Sequence, residues 1–117
     1  MNLILNIGLA PKPLFDLSER NVLQVLRRNG LTPTDWALVV SSTEPALVVH
    51  ATLYRGFELH ACLNRCATAL GQDCIAVFDD ALGVGQLIGP RSTLWGDFNP
   101  EFFLMLDGVP LAESFVS

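Results

Sequence analysis

Two stretches of this chain carry apolar residues at helical spacing, and a glycine stands just past each of them. Val22, Leu23, Val25 and Leu26 form the first stripe, followed by Gly30; Leu59, Leu63, Cys66 and Leu70 form the second, followed by Gly71. Glycine takes the left-handed conformation that closes a helix, so both ends are marked. Asp16-Leu17-Ser18-Glu19 reads as a capping box ahead of the first helix, and Arg27 and Arg28 in its last turn suit the negative end of the helix dipole. The second helix is predicted from about Phe57 to Leu70.

The segments around these helices read as strands. Leu3 to Leu9 is a short apolar run closed by Pro11 and Pro13. Trp36–Val40 and the β-branched run Ala46–Tyr54 flank the turn residues Ser41-Ser42-Thr43-Glu44-Pro45 and together predict a hairpin. Cys74–Phe78 is apolar throughout and too short for a helix between such turn signals. The order βαββαβ is that of the ferredoxin-like fold, an α+β sandwich with two helices on one face of an antiparallel sheet. A chain of 117 residues fits one domain, with residues 1–79 as this core and 80–117 as a C-terminal extension.

In the extension, Gly83, Gly85 and Gly89 punctuate Gln86-Leu87-Ile88, a strand expected to form a hairpin with Cys74–Phe78. Asn99-Pro100-Glu101 has the form of a helix start, with Asn99 as cap and Pro100 at the first helical position. Phe102–Leu106 fits a helical turn or a closing strand equally well. Trp95, Phe98, Phe102 and Phe103 gather within a few positions, beside Asp97, Glu101 and Asp107. Packing within the extension accounts for such a cluster, and so does an anchor for a partner, because Trp and Phe carry much interface energy.

Charge narrows the partners. The formal net charge is −5 and the pI near 4.7, which opposes direct binding to a phosphate backbone. The asymmetry is sharp: six basic residues stand against five acidic ones through Gln72, and from Asp73 onward only Arg91 opposes seven acids. A solvated acidic face explains this, as does a surface that meets a basic protein. Only 16 % of residues are charged, against about 25 % in an ordinary domain, while 50 % are hydrophobic. Surplus apolar surface on so small a protein is expected to be covered by another chain, so a homo-oligomer or a dedicated partner is predicted.

Signals for catalysis or metal binding are weak. Cys62, Cys66 and His60 crowd the second helix, with Cys74 beyond it, but His60 and Cys62 fall on different sides of a helix and the C-x2-C spacing of structural zinc is missing. The cysteines therefore read as small apolar residues, and their odd number suits reduced thiols in a cytoplasm. Asp79 and Asp80 follow a predicted strand, where they solvate a turn or hold a ligand. Gly83-x-Gly85-x-x-x-Gly89 departs from the dinucleotide fingerprint. The strand around His50 offers no aromatic platform for RNA, no apolar run is long enough to span a membrane, and Met1–Ala10 lacks the basic start of a signal peptide.

These readings predict a non-enzymatic interaction domain without cofactors or metal. Its partner-binding residues are expected to be Asp79, Asp80, Trp95, Asp97, Phe98 and Glu101. One concrete form is a mobile-element accessory protein that inhibits a host nucleic-acid-targeting defence complex by occupying its basic groove. The competing expectations are a small dimeric enzyme whose cavity is lined by Trp36, His50 and Tyr54, and a ligand-binding regulatory module.

Overall fold

A computed structural model describes residues 2–40, 45–79, 84–91, 93–98, 105–106 and 109–110. The elements run β1 (Asn2–Gly8), α1 (Glu19–Arg28), β2 (Leu31–Val40), β3 (Pro45–Leu53), α2 (Leu59–Ala69), β4 (Ile75–Asp79), β5 (Val84–Ile88) and β6 (Thr93–Phe98). A two-stranded ladder, β7 (Met105–Leu106) with β8 (Val109–Pro110), follows. The main sheet has the order β2-β3-β1-β4-β5-β6 with every neighbouring pair antiparallel. Its first four strands and two helices form the ferredoxin-like βαββαβ core, and β5 and β6 extend it beyond β4.

Register explains where the core sits. Leu3, Leu5 and Ile7 of β1 stand opposite Ala51, Val49 and Leu47 of β3, and all six are buried toward the helices. Ile75 and Val77 of β4 join them on the same face. Val22, Leu23, Val25 and Leu26 of α1, with Cys62, Leu63, Cys66 and Ala67 of α2, close the layer from above. Truncating one of the fully buried leucines to alanine costs about 2–5 kcal/mol in such a setting. On the opposite face, Ala46, Val48 and Phe78 are buried as well, although no described helix lies over them. None of the described helices is long and apolar enough to cross a membrane.

Several boundaries differ from the sequence expectation, each for a local reason. Ser18, not Asp16, caps α1: its Oγ accepts from the Asn21 N–H at 3.3 Å, while Asp16 Oδ1 accepts from the Ser18 N–H at 3.0 Å. That bond holds the Asp16 carboxyl below the usual carboxylate range. α2 begins later than Phe57 because Glu58 serves as its cap, its carboxylate accepting from the His60 and Ala61 N–H groups. Strand β2 starts at Leu31, well before Trp36, and passes through Pro33, which is tolerated because β2 is an edge strand with a register shift at that point. Thr93–Phe98, for which periodicity indicates no element, is a strand paired with β5. Gly30 and Gly71 hold the positive φ expected past each helix, at 95° and 62°.

Candidate functional site

The edge strand β2 carries the most exposed apolar surface among the described residues. Trp36 and Leu38 stand opposite Val49 and Leu47, and Val40 opposite Pro45, so alternation puts all three on the helix side of the sheet. Leu31 and Pro33, at the start of the strand, are buried. Further along, α1 no longer covers the surface, and exposure climbs from 37 % at Trp36 to 61 % at Leu38 and 72 % at Val40. Trp36 marks the margin of the helix layer: its indole N–H donates to Glu19 Oε1 on α1 at 2.5 Å. A groove of about 610 Å³ runs between the two elements, with Arg20, Leu23 and Arg27 on its helix wall.

The backbone of this edge is open too. The Trp36 N–H donates to the side chain of Asp35 at 2.9 Å rather than to β3. It therefore points out of the sheet, and the alternation of an antiparallel ladder turns the N–H groups of Leu38 and Val40 the same way. From Thr34 to Val40 the strand has one charge, Asp35, and neither lysine nor proline, the usual guards of an exposed edge. Sequence reasoning used this strand only for Trp36, as one wall of an enzyme cavity, and read no docking edge in it, because the run Trp36-Ala37-Leu38-Val39-Val40 reads as buried until the sheet order makes it an edge.

Four of the residues expected to bind a partner lie among the described strands, on β4 and β6 with β5 between them. Asp79 is the last residue of β4, opposite Leu3, and only 8 % exposed. It follows Ile75 and Val77 on the helix side, so its carboxylate does not belong to an open acidic face as the sequence reading supposed. Trp95, Asp97 and Phe98 lie on β6, the strand at the opposite end of the sheet from β2. Asp80 and Glu101 lie outside the described residues, as does the helix start expected at Asn99-Pro100.

Within one chain the register separates the residues expected to line an enzyme cavity between two subunits. His50 pairs with Ile4 and sits on the face away from the helices, whereas Trp36 pairs with Val49 on the helix face, so the two do not line one cleft within a single chain. Tyr54 is exposed just past the end of β3. Cys62 and Cys66 are buried, and burial pushes both thiols up, that of Cys66 to about 12. His60 is on the surface of α2, its Nδ1 3.2 Å from Glu58 Oε1. Compared with protein-family models, curated proteins and solved structures, the chain finds no match in any of the three.

Proposed function

We propose that this chain is a non-enzymatic interaction domain that pairs with a second copy of itself through the β2 edge and leaves its acidic C-terminal half for a basic protein partner. The observation that supports this most is the stripe Trp36, Leu38 and Val40, exposed beside an unguarded strand edge. Two β2 strands running antiparallel about a twofold axis would exchange their outward N–H and C=O groups. The same operation places the two apolar stripes on one continuous helix-side surface, where each covers the other. The low charge content of the chain supports the same reading. The six acids from Asp73 onward other than Asp79 favour a basic surface as the second partner, such as one that otherwise holds nucleic acid. Inhibition of a nucleic-acid-targeting complex is the form this reading takes if that surface is its groove.

Light scattering tests the pairing. At micromolar concentration the parent chain is expected to show twice its mass of 12.8 kDa. The double variant Leu38→Lys with Val40→Lys should show a single chain and an unchanged circular dichroism spectrum, since both side chains are solvent-exposed. A parent that scatters as one chain at every concentration removes the β2 edge from the proposal.

A further inference from the structure

On the face of the sheet away from the helices, three small residues from adjacent strands leave a hollow of about 370 Å³. Its floor is Gly8 of β1, Ala46 of β3 directly opposite it, and Ala76 of β4. Ala76 stands opposite Asn6, which also lines the hollow. The rim carries Lys12, from the β1–α1 connection, and Gln72 and Asp73, from the α2–β4 connection.

The polar groups of this rim are not used up on one another. Gln72 is only 7 % exposed, and its amide nitrogen donates to the Gly8 and Leu70 carbonyls at 3.0 and 3.2 Å. Both amide hydrogens are thereby committed, which fixes the orientation of the amide and leaves Oε1 as the remaining acceptor of this lining residue. No described group donates to that oxygen. The Lys12 ammonium donates to the Gly71 carbonyl at 2.5 Å and keeps two further N–H donors. Asp73 is exposed and makes no hydrogen bond or ion pair among the described residues, so this cation and this anion share a hollow without pairing.

A fixed acceptor and a carboxylate on consecutive rim residues, with an ammonium on the same rim and small apolar residues on the floor, match a zwitterion. We propose that this hollow binds a free α-amino acid with a small or aliphatic side chain. Its ammonium faces Gln72 Oε1 and Asp73, its carboxylate takes the spare donors of Lys12, and its side chain lies on Ala46 and Ala76. The site is on the face opposite the Trp36 stripe, and it stands whether or not β2 pairs.

The test is a titration of the isotope-labelled full chain, followed by amide chemical shifts, with glycine, L-alanine, L-serine, L-valine and L-leucine. Ethylamine and propionate serve as ligands carrying one charge each. Saturable shifts centred on Gly8, Ala46 and Ala76 are expected with at least one amino acid and with neither control. Lys12→Met and Asp73→Asn should each weaken binding by roughly tenfold or more, as loss of one charge-assisted hydrogen bond does. Parent protein that shows no saturable shift with any of the five amino acids overturns the proposal. So does equal binding of a single-charge control, which needs no variant to fold. Unchanged affinity in both variants, with native spectra, overturns it as well.

Discussion

Cys66 lies among core side chains with its Sγ 4.0 Å from the Val25 carbonyl oxygen, and Cys62 is equally buried one turn earlier on α2. Thiolate formation there would put a charge where water cannot reach it, so burial raises both thiols. Cys74 is half-buried and is raised as well, by burial and then by the charge of Asp73. In native protein a disulfide-exchange reagent is therefore expected to titrate Cys74 ahead of the other two, which should react only in denaturant. Equal reaction of all three thiols without denaturant would contradict the placement of Cys62 and Cys66. The sign for stability follows from the same shift. The unfolded chain releases the Cys66 proton near 9.0 and the folded chain near 12, so the folded form holds more protons between these values. This contribution is complete below pH 9.0 and is lost as pH rises toward 12. Cys66→Ala should flatten the alkaline fall of stability, measured by denaturant midpoint across that window.

At the scale of elements, the joint between α1 and β2 is closed by Gly30 at φ 95°. Its N–H donates to the Arg27 carbonyl at 3.3 Å, and its own carbonyl accepts from the Tyr54 N–H at 2.9 Å, tying the end of α1 to the end of β3. A Cβ at this position would meet the Phe57 ring at 2.5 Å. Gly30→Ala thus combines a left-handed backbone, about 1–2 kcal/mol for a residue with a side chain, with displacement of an aromatic ring. Phe57 is 45 % exposed, so the ring can yield outward at the expense of its own packing. The penalty of Gly30→Ala should shrink in a Phe57→Ala background, as a double-mutant cycle on melting midpoints would record. A cycle with no coupling would mean that the backbone alone sets the penalty. The hairpin and both helices were legible from periodicity and glycine stops. The cap of α1 was misplaced by two positions because Asp16 and Ser18 are both good caps, and only backbone geometry chooses between them.

For the whole molecule, the charge asymmetry is a property of composition, but its surface expression depends on which acids reach solvent. Asp79 does not contribute, being buried at the end of β4. The combined change Asp80→Asn, Asp97→Asn and Glu101→Gln is expected to slow association with a short Lys- and Arg-rich peptide and to flatten its salt dependence. Complementary fields act mainly on the encounter rate, and single surface pairs are worth only about 0–1 kcal/mol. Stopped-flow kinetics at two salt concentrations decide this; equal rates for parent and variant at low salt would reduce the acids to a solubility device. Asp79→Asn should register instead in stability, since it alters a buried group.

The succession of strands and helices from β1 through β5 was determined by the sequence alone, because hydrophobic period, helix stops and turn residues act over a few positions of chain. Tertiary structure decided what each element faces. Trp36, Leu38 and Val40 form an ordinary β pattern until β3 pairs with β1 and leaves β2 outermost, where α1 covers only the first part of the strand. Gly8, Ala46 and Ala76 are small residues far apart in the chain until cross-strand register aligns them beneath Lys12, Gln72 and Asp73. Local signals specify conformation, whereas exposure and the meeting of distant side chains follow from strand order, which no local signal encodes.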